Sequence, residues 1–479
     1  MLLRQTLLYL PAQVLAPLLQ FAAILAWAWW LPPVEMGAFT ILAAAQELGY
    51  LLFLSWFSAY ALRYFGDGEG DPDHRRAFHA SENLVILTAG GLNFALAAGL
   101  VAWFGDLPAD VAFIFAAGAF LTARSVNAHM AERARAAQRI GAYTLLQVTG
   151  PALGLLMGWI AHGFVHLNAA WALAIHAAAH LAAIAAALPL TGMRPAPLRL
   201  AAPVLRKALA YGAPLLLAGG FSWIALNALR YVAEGFQGLA AAGLIAVGLG
   251  LGQRGAAFAA MFVTAAAFPL AVKAHREGGE QAGMRQLALG GALLIAALAP
   301  AVAGLFAISH DVSMLLVSEN YRPVTAMVLP WAIVMGAARN LRSHFPDQVF
   351  LLAGRSSTVT LVDGIDAAAT VALSIAGIVL AGLPGAVMGA AAAAIIAAVA
   401  SFALAARQPH FTFPWGHAAR ATFASGLMLA ALALFGPAAH ITTLVFKILL
   451  GAAIHALGLA ALYPRELAAA LTSLRTRLA

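Results

Sequence analysis

Apolar stretches of about 20 residues, the length that crosses a bilayer's hydrocarbon core, recur along the chain from residue 6 to residue 463. Little sequence separates them. About fourteen windows meet a hydropathy criterion for spanning segments. The expected fold class is therefore all-α, a polytopic membrane protein, because a lipid-exposed backbone must satisfy its polar groups within each helix. Charged residues are only 10% of the 479, against about 25% in soluble domains. There are no cysteines, which excludes disulfides, thiolate catalysis and Cys-ligated metal. The first apolar run follows Arg4 and ends AWAWWLPP without a small-residue cleavage site. It reads as a retained span and not a signal peptide.

The net charge of +8 is unevenly placed. With the N-terminus on the cytoplasmic side, the connections there contain Arg63, Arg75 and Arg76, then Arg133, Arg135 and Arg139, then Arg194, Arg199, Arg206 and Lys207. The pattern continues through Lys273, Arg276 and Arg285 to Arg465, Arg475 and Arg477. The opposite connections, such as PPVEMG, FGDLPAD and GLPG, are nearly free of Lys and Arg; Arg322 lies on that side, with Arg230 at the boundary. This is the positive-inside pattern. It predicts both termini cytoplasmic, and it accounts for the charge without a nucleic-acid partner.

The connection at 189–207, TGMRPAPLRLAAPVLRK in its core, divides the chain. Residues 1–188 form an N-terminal lobe of six spans and 208–406 a second lobe of six. Residues 407–479 add two helices and a cytoplasmic tail. Both lobes start on the same side, so a duplication would be a parallel repeat about an axis along the membrane normal. Arg4-x4-Tyr9 before Pro11 echoes Arg206-x4-Tyr211 before Pro214, and Gly37-Ala-Phe echoes Gly243-Leu-Ile. The tail PRELAAALTSLRTRLA has the pattern of an amphipathic helix lying on the cytoplasmic leaflet.

Charges inside the spans are the candidate functional residues. Each costs about 2.5–3.5 kcal/mol near mid-bilayer on insertion scales, so it faces a bundle interior or a wet cavity. Trp223, Asn227, Arg230 and Glu234 are spaced to share one helix face. Gln253 and Arg254 sit mid-span among Gly243, Gly248, Gly250, Gly252 and Gly255. Arg124 and Asn127 share a face of the fourth span, and Arg339 and Arg342 lie toward the cytoplasmic end of the tenth. A guanidinium is a planar fork suited to phosphate. Arg230, Arg254, Asn227, Arg124, Arg339 and Gln20 are the expected substrate-binding set. Gln20 shares a face of the first span with Gln13, Pro17 and Trp27, and ordinary interhelical hydrogen bonding explains that face equally well.

Carboxylates suggest ion coupling. Glu47 lies mid-span, one turn from Tyr50; it either titrates with the transport cycle or pairs with an arginine such as Arg124, and pairing is preferred. Asp363, Asp366, Thr370 and Ser374 align on one face of the eleventh span. They either bind a cation or relay protons, or they neutralise Arg339, Arg342 or Arg355; again pairing is preferred. Asp347 and Gln348 at the Pro346 break read as a structural turn. No P-loop, no nucleophile motif and no metal-ligand spacing among the 14 histidines is present. The expectation is a transporter and not an enzyme, without cofactor, driven if at all by a proton or sodium gradient.

Residues 226–254, LNALRYVAEGFQGLAAAGLIAVGLGLGQR, resemble the seventh and eighth helices of Wzx-type oligosaccharide flippases of the multidrug/oligosaccharidyl-lipid/polysaccharide exporter (MOP) superfamily. The family's Asp before Arg230 and Tyr after Gly243 are absent. Residues 318–356, SENYRPVTAMVLPWAIVMGAARNLRSHFPDQVFLLAGRS, resemble its tenth and eleventh spans. The resemblance implies two six-helix lobes around a central cavity. It implies a substrate of polyprenyl-diphosphate-linked oligosaccharide, flipped by alternating access. Partners implied are the lipid-linked glycan, membrane lipids, and polysaccharide polymerase and export proteins. Two rivals remain: a multidrug/cation antiporter of the same superfamily, and a lipid II flippase.

Overall fold

The computed structural model describes the backbone of residues 2–65, 72–193, 197–199 and 201–464. The tail helix expected over 464–479 lies almost wholly outside these residues. The described residues are helical, without a strand. In chain order the elements are α1 (Leu2–Trp30), α2 (Pro33–Tyr50), a π-helical turn (Leu51–Ser55), α3 (Trp56–Tyr64), α4 (Pro72–Trp103), α5 (Val111–Ala136), α6 (Ile140–His162) and α7 (Ala169–Thr191). There follow α8 (Ala202–Ala307), α9 (Ser309–Leu316), α10 (Arg322–His344), α11 (Pro346–Leu352), α12 (Ser356–Ala405), α13 (Trp415–Ala433) and α14 (Ile441–Leu462).

Ten helices among the described residues are long and apolar enough to cross a membrane. Two of the helical runs do so more than once. At 1.5 Å per residue, α8 would extend about 160 Å if straight, roughly five times the hydrocarbon thickness. It is folded back where Gly238 and Gly279 take φ of 77° and 76°, a region open to glycine because it has no Cβ. The 50-residue α12 turns at Ala381–Gly382, where Gly382 has φ 65°. With these reversals the described residues make about fourteen crossings, the number hydropathy predicts. Phe115, Leu293, Leu380, Leu449 and Leu457 remain exposed along the spans, as helices that meet lipid require.

Side-chain caps start α5 and α7. Asp110 accepts from Phe113 N at 2.8 Å to start α5, and Asn168 accepts from Trp171 N at 3.0 Å to start α7. Glu35 adds a second acceptor to α7 through Ala169 N at 2.7 Å. These side chains satisfy amides that a helix start leaves without partners.

The chain forms two compact units. The first comprises 1–247 and 363–390, the second 248–362 and 391–479. This is a partition by contact, distinct from the sequence division at 189–207. In the first unit, Ile41, Leu42, Phe113, Phe120, Leu121 and Leu173 form one core, and Leu54, Phe57, Tyr60 and Phe78 another. Gly37 and Gly243 bring α2 and α8 into backbone contact. A Cβ on Gly37 would collide with Leu239 O, and one on Gly243 with Pro33 O. The same hairpin logic joins the halves of α12, where Gly377 and Gly385 each abut the other's carbonyl.

In the second unit, Ala256, Leu294, Leu298 and Phe345 form a core with Phe402, Phe411 and Phe413 packed on it. Here the glycine-rich stretch of α8 serves packing. Gly248 faces Val328, Gly252 faces Ala332 and Ile333, and Gly255 faces Leu305. Asp311 of α9 pairs with Lys447 of α14 at 2.7 Å and accepts from Ala438 N at 2.9 Å, all buried. That contact ties the last hairpin to the rest of its unit.

Candidate functional site

Three side chains of α8, placed four residues apart, reach successive turns of α2. Tyr231 Oη donates to Ile41 O at 3.2 Å, and Trp223 Nε1 donates to Ala44 O at 2.9 Å. Between them Asn227 Nδ2 donates to Glu47 Oε2 at 3.1 Å. Further along the same face Gly219 and Gly212 admit Leu51 and Trp56. Of the face read from spacing, Trp223 and Asn227 meet α2, and Tyr231 joins them. A buried carbonyl already engaged in a helix retains a second lone pair, so these donors dock without breaking the α2 ladder.

The charges extend from this seam. Asn227 Oδ1 accepts from Arg230 Nη1, and Arg124 Nη2 of α5 lies 3.8 Å from Glu47 Oε1. Arg124, Glu47, Asn227 and Arg230 thus form a chain of two guanidiniums about one carboxylate and one amide, carrying a net positive charge. The pairing of Glu47 with Arg124 is present, at the long end of ion-pair distances. The Glu47 side chain is 49% exposed, although Ala44, Ala45, Gln46 and Gly49 around it are buried. The seam therefore ends in an open, charged face at mid-span. Arg230 Nε is buried and makes no hydrogen bond among the described residues. An N–H donor left so costs about 1–3 kcal/mol unless a ligand takes it. Immediately after Tyr50, α2 passes into the π-helical turn Leu51–Ser55, a geometry that concentrates at functional sites.

The remaining expected residues fall as follows. Gln20 is half-buried on α1, and the Gln13 side chain lies outside the described residues. Asn127 turns away from the cluster and donates to Leu146 O at 3.0 Å, joining α5 to α6. Arg254 is half-buried on α8 and Arg339 buried on α10, both in the second unit. Arg342 pairs with Asp347 at 3.4 Å and donates to Val362 O at 3.3 Å. Asp347 also accepts from Ser401 Oγ at 2.6 Å, and Gln348 Nε2 donates to Ser343 O at 2.9 Å. That turn is built structurally. Asp363, Asp366, Thr370 and Ser374 form a buried stripe on α12, with Thr370 donating to Asp366 at 3.1 Å.

Two polar groupings have no counterpart in the sequence reading. Gln46 Nε2 donates to Ser125 Oγ at 3.1 Å, a buried bond between α2 and α5. Glu82, His129, Arg133 and Ser58 form a second cluster in which each member lies on α3, α4 or α5. Only the i, i+4 spacing of His129 and Arg133 could have signalled it.

No protein-family model and no curated protein sequence matches the chain. Solved structures do. A lipid II flippase MurJ in an inward-closed conformation matches with a TM-score of 0.74 at 11% identity, covering 96% of this chain and 100% of that one. An inward-facing multidrug resistance MATE family transporter of the MOP superfamily matches with a TM-score of 0.57 at 16% identity, covering 81% and 94%. A Vibrio cholerae MATE transporter matches with a TM-score of 0.55 at 17% identity, covering 84% and 95%. The chain has the fold shared by these transporters.

Proposed function

We propose that this protein is a transporter that moves a polyprenyl-diphosphate-linked oligosaccharide across the bacterial inner membrane by alternating access. The observation that carries the reading is the chain Arg124–Glu47–Asn227–Arg230. It offers two guanidiniums on an open mid-span face, one of them with a buried N–H awaiting an acceptor. A diphosphate must lose water to cross about 30 Å of low dielectric. Planar N–H forks replace that water with charge-assisted bonds. Glu47 holds Arg124 and Asn227 in place before the anion arrives, so little ordering remains to be done on binding. Gln20 is proposed to extend this lining, and Asp363 and Asp366 of the same unit to couple it to an ion gradient; Arg254 and Arg339, in the second unit, are proposed as substrate contacts in their own right. The cytoplasmic placement of both termini, and polymerase and export partners acting on the delivered glycan, belong to the same proposal.

A second reading, a lipid II substrate, draws on the overlap with the MurJ flippase over 96% of this chain and 100% of that one. It asks the same diphosphate chemistry of the site. A cation antiporter fits less well. The α1 sequence contains no carboxylate, and the open cluster is net positive.

The test is the lipid extract of cells lacking the protein. Accumulated lipid-diphosphate oligosaccharide, cleared by wild type and not by Arg230→Ala, is the expected result. Its mass separates the two substrates. No accumulation, with new sensitivity to cationic dyes, would overturn the reading in favour of the antiporter.

A further inference from the structure

The second unit holds a cavity of about 340 Å³ among three of its connections. That is the small end of small-molecule sites, which run about 300–1,000 Å³, and many times the roughly 30 Å³ share of one water. It has room for a compound and not only for an ion. The polar lining is His275 and Glu280 of α8, Arg355 just before α12, and Gln408 just after it. Chain reversals bring them together. Gly279, with φ 76°, folds α8 back between His275 and Glu280, and Gly354, with φ 71°, turns α11 into Arg355.

The floor is apolar and fixed. Met284 lies in a core with Leu287, Val349 and Phe350, and Leu352 packs against it. Gly283 keeps the reversal tight, since a Cβ there would lie 2.8 Å from His275 Cβ and 3.0 Å from Leu352 Cδ2. Backbone bonds anchor two of the polar residues. Arg355 N donates to Phe350 O at 2.8 Å, and Gln408 N to Ala405 O at 2.9 Å. The cavity is therefore shaped before a ligand arrives, which lowers the cost of ordering on binding.

The polar side chains are unspent. None of His275, Glu280, Arg355 and Gln408 makes a side-chain hydrogen bond or ion pair among the described residues. His275 Nδ1 is buried as well as unpartnered. Arg355 and Glu280 share the cavity without pairing, so two opposite charges stand apart and each remains available. Arg355 only donates, in a planar fork that fits phosphate. Glu280 as a carboxylate only accepts, so it calls for hydroxyl or ammonium donors. Gln408 does both.

Charge separates those two kinds of donor. Within residues 271–285, 352–362 and 404–410, Arg276, Arg285, Arg355 and Arg407 stand against Glu280, while Glu277 is engaged by Lys273 at 3.8 Å. A neutral zwitterion gains little in such a field, whereas an anion is drawn in over about 10 Å. Arg355 also precedes α12, whose start has no side-chain cap, and a helix start favours negative charge.

We infer that this cavity binds a hydroxyl-bearing phosphate ester, with its phosphate at Arg355 and its hydroxyls at Glu280 and Gln408. That chemistry has two sources, a soluble sugar phosphate or the glycerol phosphate headgroup of an anionic lipid. The connections that build the site belong to the Lys- and Arg-rich set, proposed above as cytoplasmic. The site stands on its own residues and not on the transport reading.

The experiment has two arms. In the first, the full-length protein in phosphatidylcholine nanodiscs is titrated calorimetrically with glucose-1-phosphate, with glucose and with inorganic phosphate. Saturable binding of the sugar phosphate at one site per chain, tighter than either fragment, is expected. Arg355→Gln should weaken it about tenfold or more, the worth of one charge-assisted contact. Glu280→Gln should weaken the sugar phosphate and spare inorganic phosphate. Both residues are exposed, so these changes leave the core intact. Arg276→Gln, an exposed cation outside the lining, should change little. In the second arm, native mass spectrometry asks whether phosphatidylglycerol is retained over phosphatidylcholine, and whether Arg355→Gln releases it. Such retention assigns the site to a headgroup, and binding of glucose-1-phosphate alone assigns it to a soluble ester. Binding of neither, or equal losses in Arg355→Gln and Arg276→Gln, would overturn the site.

Discussion

Gly37 of α2 and Gly243 of α8 meet backbone to backbone, and each lies against the carbonyl four residues before the other: Gly37 on Leu239 O, Gly243 on Pro33 O. Exchanging the members of one contact gives the other. That reciprocity is what a two-fold axis running between the two glycines produces. It links the same Gly37 and Gly243 that echo each other in the sequence. Two parallel helices cross here at a distance only glycine permits.

A side chain at either position should therefore be costly. Gly37→Ala is expected to lower the thermal midpoint of the protein in detergent, since overpacking typically costs about 1–3 kcal/mol. Gly220→Ala is the control. It has open space where a Cβ would go, and alanine favours a helix by about 0.5–1 kcal/mol over glycine. Its midpoint should hold or rise. An equal loss at both positions would contradict the close contact.

Asn227 bridges Glu47 and Arg230 with opposite ends of one amide. Asn227→Asp places a second carboxylate beside Glu47 and removes the donor. Transport should fall at least as far as in Asn227→Ala, because like charges within a few ångströms repel while a deletion leaves Glu47 its arginine. A transport assay in which Asp is tolerated and Ala is not would reverse this account of the bridge.

Asp311 and Lys447 test the anchoring of the last hairpin. Removing one partner leaves a buried charge, at a typical cost of about 3–5 kcal/mol. Lys447→Met should destabilise strongly, and Asp311→Asn combined with Lys447→Met should recover much of the loss. Unfolding midpoints of the two single variants and the double variant give the coupling. Additive losses would mean that the pair is not a unit.

Because the natural chain has no cysteine, its topology can be mapped without stripping a background. Ala109→Cys, at an exposed position between α4 and α5, should react with an impermeant maleimide in intact spheroplasts. His410→Cys, exposed between α12 and α13, should react only after permeabilisation. The reverse labelling would invert the orientation read from the Lys and Arg distribution.

Helical periodicity made much of the open face legible. Trp223, Asn227 and Arg230 share a face whatever they pack against, and a mid-span Glu47 needs a partner wherever the chain puts one. The spans themselves followed from hydropathy. The buried cluster was not legible, because Glu82 and His129 lie on different helices and neither is unusual within its own span. Which faces of α4 and α5 meet is decided by the packing of Phe57, Phe78 and Phe65 around them, not by spacing. The π-helical turn left no mark in the sequence, since Leu51–Ser55 reads as ordinary apolar helix. Gly243, Gly248, Gly252 and Gly255 make helix contacts with Pro33, Val328, Ala332 and Leu305, partners that their place beside Gln253 and Arg254 in the sequence does not reveal.

The central claim is that the open face selects a lipid-borne diphosphate. Native mass spectrometry of the purified protein with an equimolar mixture of polyprenol and polyprenyl diphosphate tests it most directly. The account predicts retention of the diphosphate over the alcohol, with that preference lost in Arg230→Gln. Equal retention of the two lipids, or a preference that survives Arg230→Gln and Arg124→Gln together, would contradict it.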